Sequence, residues 1–101
     1  MNKASIEQAA DILVEARDTH TRLDLLPESC RPGTAAEAYE IQDCLAGVVG
    51  SPVIGWKVGA TNAKSQEMLG ASAPFGGRMF ESLTFDTPLE IPFNNLFVPG
   101  I

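Results

Sequence analysis

Lys57 stands between Gly55 and Gly59 in the run Val53-Ile54-Gly55-Trp56-Lys57-Val58-Gly59-Ala60-Thr61, and there composition and spacing together suggest a site. Read as a β-strand, the run sends Ile54, Trp56, Val58 and Ala60 to one face and Val53, Gly55, Lys57 and Gly59 to the other. The first set reads as a core face. On the second, glycines at i−2 and i+2 weaken a strand interior, which makes sense where a ligand must approach the backbone closely. An ammonium in such a notch, backed by an apolar Trp-bearing face, can have its pKa lowered by desolvation. It then serves as an acid/base or as the electrophilic partner of an anion. The alternative is an edge-strand lysine that discourages aggregation, with the glycines marking a β-bulge.

The residues after the strand extend the case. Thr61 or Asn62 can cap a short helix running through Met68 and Leu69, with Gly70 as its terminator. The N-terminus of that helix would place backbone N–H groups, which favour an anion, at the end of the Lys57 strand. Residues 71–77 form a loop rich in small side chains, with Phe75 as an apolar wall. Arg78-Met79-Phe80 is expected to be a short strand. Leu89, Ile91 and Phe93 alternate like a further one, which Pro88 and Pro92 confine to an edge or a crossover. Lys57, Lys64 and Arg78 are far apart in sequence yet able to converge on one small anion.

The elements that must position this strand lie before it. Ser5-Ile6-Glu7-Gln8 has the form of a capping box, and Ile6, Ala9, Ala10, Leu13 and Ala16 recur at helical spacing, so an amphipathic helix is expected over residues 5–18. Its charged side reads as a solvated face. His20 falls at the helix C-terminus, where the dipole favours it, and Leu23, Leu25 and Leu26 before Pro27 are expected to tuck into the core. After the turn Arg31-Pro32-Gly33, Thr34-Ala35-Ala36-Glu37 is a second capping box that opens a helix to about Val49. Ala38, Ile41, Leu45 and Val48 form its apolar stripe. Tyr39 and Gln42 border the stripe, either packing at the rim of the core or reaching a pocket with their polar ends. Gly47 and Gly50, with Ser51-Pro52, stop the helix.

Size and composition bound what these elements can do. A chain of 101 residues fits one domain with a modest core, and 45% hydrophobic with 20% charged residues is ordinary for a globular protein. The formal net charge of −6 and the absence of a basic patch argue against nucleic-acid binding. No apolar run is long enough to span a bilayer and the N-terminus lacks a signal-like apolar segment, which reads as a cytoplasmic protein without membrane attachment. Cys30 and Cys44 are expected to be free thiols. With His20 the sole histidine, a His-based zinc site or a Ser-His-Asp triad has almost nothing to draw on. Leu96, Phe97, Val98 and Ile101 close the sequence on apolar residues, which suggests a truncated chain whose end is covered by a partner surface.

Taken in order, Ala38-Tyr39-Glu40-Ile41-Gln42, Ile54-Gly55-Trp56-Lys57-Val58-Gly59-Ala60-Thr61, Gln66, Leu69-Gly70, and Pro74 with Gly77 and Phe80 span most of the chain. Together they resemble the N-terminal portion of the 2-keto-4-pentenoate hydratase and 4-oxalocrotonate decarboxylase family, within the fumarylacetoacetate hydrolase superfamily. The resemblance implies an α+β segment, residues 1–101, at the start of a mixed-β fold whose catalytic metal-binding domain lies further on. It implies a magnesium- or manganese-dependent lyase, a homo-oligomer, acting on 2-oxo or 2-hydroxy-dienoic acids in aromatic-compound degradation. Its catalytic lysine maps onto Lys57, and its substrate contacts onto Gln42, Gly55, Gly59, Thr61, Leu69, Phe75 and Gly77. Two departures stand out. Family hydratases often carry Asp after the loop proline, where this chain has Phe75, so hydration, decarboxylation and C–C hydrolysis all stay open. The family's Glu-x-Glu metal pair would fall beyond Ile101, and Glu81, Asp86 and Glu90 lack its context; this implies that the fragment is inactive alone. A stand-alone anion- or protein-binding module and an oligomerisation module are the competing readings.

Overall fold

The computed structural model describes residues 1–97, which form two compact units. Residues 1–50 and the segment from Thr87 onward make the first; Ser51–Asp86 make the second. Val98 and Ile101, expected above to need a covering surface, lie outside the described residues. The architecture is α+β, as expected.

In the first unit, helix α1 spans Lys3–Asp18. It starts two residues earlier than the sequence suggests, because Asn2 rather than Ser5 is the cap: the Asn2 side-chain oxygen accepts the Ser5 N–H at 2.8 Å. The far end is closed by paired backbone bonds, from Thr21 N–H to the Ala16 carbonyl (2.8 Å) and from His20 N–H to the Arg17 carbonyl (3.2 Å), with His20 at φ 53°. This is the Schellman arrangement, whose left-handed residue is ordinarily glycine. His20→Gly is therefore expected to stabilise the chain by about 1 kcal/mol, read as a higher urea midpoint. An unchanged midpoint would show that His20 makes compensating contacts.

A 3-10 turn, Glu28–Cys30, carries the buried Cys30 under the helices, and the Arg31 guanidinium closes the loop by donating to the Leu26 carbonyl at 2.7 and 3.0 Å. Helix α2 spans Ala35–Val49, and its Thr34/Glu37 capping box is formed as expected. Glu37 also accepts from Gly33 N–H at 2.7 Å and pairs with the Met1 ammonium at 3.0 Å. These partners, the Gly33 N–H foremost, hold its carboxyl below the ordinary glutamate value. Gly50, at φ 66°, ends α2; Gly47 lies inside the helix rather than helping to stop it.

The core joins α1, the Cys30 turn and α2. Ala9, Ala10, Cys30 and Ile41 are buried, with Ile6, Ile12, Leu13, Leu26, Cys44 and Leu45 packed against them. Both cysteines are free thiols. Three sequence expectations fail here: Leu23, Leu25 and Val48 are exposed, and of the Leu23-Leu25-Leu26 run only Leu26 packs against this core.

The second unit is built on an antiparallel hairpin of β1 (Val53–Gly59) and β2 (Phe75–Phe80), joined through helix α3 (Ala63–Leu69). β2 begins three residues earlier than expected, since Gly76 and Gly77 pair with Val58 and Lys57 instead of belonging to the loop. A register shift between Val53 and Gly55 puts one extra residue, Ile54, on β1, so the glycine does mark a bulge. α3 is capped by Asn62 and closed by Gly70 at φ 64°. Residues 84–92 form no strand; Pro88 and Pro92 each lack a ladder donor, and Leu89, Ile91 and Phe93 are exposed ahead of and within a 3-10 turn at Phe93–Asn95.

Candidate functional site

Residues opposite one another in an antiparallel pair share a face, and the register fixes which do. Gly55 faces Met79, Lys57 faces Gly77, and Gly59 faces Phe75. Lys57 thus occupies the middle of one hairpin face, with glycines before, after and directly across from it. The Phe75 ring lies over Gly59: a Cβ built there would meet ring carbons at 3.0 and 3.2 Å. Met79 borders Gly55, its sulfur 3.5 Å from where a Cβ would stand. At Gly77 the nearest atom to a built Cβ is the Lys57 carbonyl oxygen at 4.0 Å, so the ground beside Lys57 is open. The result is an exposed sheet face with a central lysine, open glycine backbone around it, and Met79 and Phe75 toward its two ends.

The structure therefore brings together five of the expected site residues, Gly55, Lys57, Gly59, Phe75 and Gly77. Met79 was missed as a border of this face; its place follows only from knowing that it pairs with Gly55. Thr61 lies in the connection to α3 and is exposed, and Leu69 is the last residue of α3. Gln42 and Tyr39 are on α2, in the first unit.

Two expectations about the surroundings need correction. Arg78 pairs with Trp56, so it points to the face opposite Lys57, where its guanidinium carbon sits 5.0 Å from the indole centroid as a cation–π contact. It cannot join Lys57 on one anion. The Trp56 face is not a core face either: Ile54, Trp56 and Val58 are 53%, 57% and 59% exposed. The period-2 alternation is real past the bulge, but in a two-stranded sheet it does not by itself bury anything. Lys57 is also exposed.

The turn leading out of β1 is tightly held. Ala60 is buried at φ 53°, and its carbonyl accepts Gln66 Nε2 at 2.9 Å. The first turn of α3 is largely self-capped: Asn62 Oδ1 takes the Ser65 N–H at 2.8 Å, and the Asn62 carbonyl takes the Gln66 N–H at 3.0 Å. Among the described residues, no group of three or more His, Cys, Asp or Glu side chains is placed to hold a metal ion. The residues present do not fit a divalent-cation site. No helix among them is long and apolar enough to cross a membrane.

Fold and face together define an α+β segment that presents a lysine on a glycine-lined face. Over nearly its whole length it is similar to the N-terminal portion of 2-keto-4-pentenoate hydratases, as the motif series implied. A protein of that name from Paraburkholderia phymatum is 31% identical over 99 residues, covering 95% of this chain. Another from Burkholderia vietnamiensis is 31% identical over 100 residues, covering 96%. The chain spans 38% of the length of each. No family model and no solved structure matches it.

Proposed function

We propose that this chain is the substrate-pocket part of a hydratase-type lyase acting on 2-oxo or 2-hydroxy-dienoic acids in aromatic-compound degradation. The observation that carries the reading is the Lys57 face, with Gly55, Gly59 and Gly77 around the lysine and Phe75 and Met79 toward the two ends. A flat conjugated acid fits between these apolar side chains, and an ammonium beneath it offsets the negative charge that develops on the oxygen as the enolate forms. Lys57 in this role binds the substrate anion and positions or passes a proton, while water adds across the conjugated double bond. Hydration is preferred over decarboxylation or C–C hydrolysis because both relatives bear the hydratase name. In this proposal magnesium or manganese acts in the longer protein and is held by residues other than those described; the working form is a cytoplasmic homo-oligomer, and the 101-residue chain is inactive alone.

Gly77 provides the test. A Cβ built there meets no atom closer than the Lys57 carbonyl oxygen at 4.0 Å and the glycine does not have positive φ, so the exposed-face change Gly77→Val should leave the fold intact. It would nonetheless cover the open backbone beside Lys57. In the longer enzyme, an unchanged thermal midpoint with a KM for the dienoic acid raised at least about tenfold is expected, equivalent to about 1.4 kcal/mol of lost binding. Unaltered kinetics would mean that substrate does not use this face.

A further inference from the structure

Away from the hairpin, the first unit carries an open surface groove of about 380 Å³ beside the last turn of α1 and the segment that follows it. Leu13, Ala16, Leu23 and Phe97 give it an apolar lining, and Arg17, His20 and Arg22 stand among the residues that line it. The charge balance is unlike that of the rest of the molecule. The chain has a net charge of −6, yet two of its seven Lys and Arg residues and its only histidine meet here, and among the described residues no acidic side chain lines the groove. A smaller groove of about 160 Å³ shares Ala16, Thr21 and Leu23 with it and has the reverse character, carrying Glu15 and, among the described residues, no basic one.

We infer that the larger groove is a binding site for a small monocarboxylate with an apolar, ring-sized body. Its volume falls at the lower end of small-ligand pockets, about 300–1,000 Å³, and its lining combines apolar side chains with the basic groups an anion needs. A guanidinium recognises a carboxylate through paired N–H donors, and Arg17 and Arg22 each offer that fork. The helix C-terminus opposes an anion with only about half a negative charge, against two full positive charges. Its last carbonyls are also occupied: those of Glu15, Ala16 and Arg17 accept from Thr19, Thr21 and His20. Arg22 lies 3.6 Å from Asp24, but both side chains are largely exposed, and such a pair exchanges readily for a better-placed carboxylate. The site is separate from the Lys57 face in sequence and in compact unit, and it does not depend on the reaction proposed above.

The test is a titration of the 15N-labelled 101-residue chain with benzoate, with benzamide and acetate as comparisons, followed by NMR. Saturable shifts should cluster at residues 13–23 and 95–97. Benzamide lacks the charge and acetate lacks the ring, so each should bind at least about fivefold more weakly. Arg17→Gln and Arg22→Gln should each weaken benzoate by about fivefold, and being exposed, both should leave the spectrum folded. The inference is overturned by benzamide binding as well as benzoate, by acetate binding as well as benzoate, by no saturable shift, or by shifts confined to residues 55–59 and 75–79.

Discussion

On the proposed function, replacing Lys57 by alanine in the longer protein is expected to lower turnover by about 10²–10⁴-fold while leaving the fold intact, the usual range for removing an acid/base or oxyanion-stabilising group. The structural half of that expectation rests on exposure: Lys57 is exposed and its neighbours across the face are glycines, so truncation opens no cavity. The functional half rests on the absence of a substitute. Arg78 faces the other way on Trp56 and cannot supply the missing charge from this hairpin. Lys57→Arg should recover charge but not shape, since a planar fork is wider than an ammonium, and partial activity is expected. If Lys57 merely protects an edge strand, Lys57→Ala would instead leave turnover unchanged and raise aggregation, and the catalytic assignment would be lost. Steady-state kinetics beside light scattering on the same samples separates the two.

The largest effect on stability is expected at Ile41. It is 3% exposed, on the face of α2 that meets Ala9 and Ala10, and those two small side chains cannot move in to fill the space an alanine would leave. Ile41→Ala should cost about 2–5 kcal/mol, the range for large-to-small changes in a core. A chain of this length has only about 5–15 kcal/mol in total, so a fall in thermal midpoint of upward of about 10 °C should follow. Ile54→Ala is the natural comparison, because Ile54 is the same residue type at 53% exposure on the bulge. Its effect should stay near 0.5 kcal/mol or below, roughly what exposed sites show. Similar losses at both positions would mean that the chain's stability does not centre on the α1–α2 core.

Some of this fold is written locally and some is not. The Thr34 and Glu37 box and the glycine at position 50 define α2 from within a few residues, and the expected and observed helix agree. At α1 the box pattern at Ser5 is the louder sequence signal, although Asn2, which caps as well as Ser, is the residue that accepts the Ser5 N–H. The start of β2 was hidden for a different reason: Phe75-Gly76-Gly77 has loop composition, and it becomes strand only because the Phe75 ring covers Gly59 and the Trp56 ring lies against Gly76.

The candidate site divides along the same line. That Lys57 shares a face with Gly55 and Gly59 follows from the sequence, because the two-residue period of a strand is a property of the backbone itself. That Gly77 stands across from it, that Phe75 and Met79 border it, and that Arg78 is turned away depend on the register between paired residues 16 or more positions apart. Register is a choice among pairings with similar local energies, decided by which side chains pack across the sheet, and a shift of one residue would have put Arg78 on the side of Lys57. Burial was decided at the same level: alternation tells which side chains share a face, but only a second surface can exclude water from it, and none among the described strands covers Ile54, Trp56 and Val58.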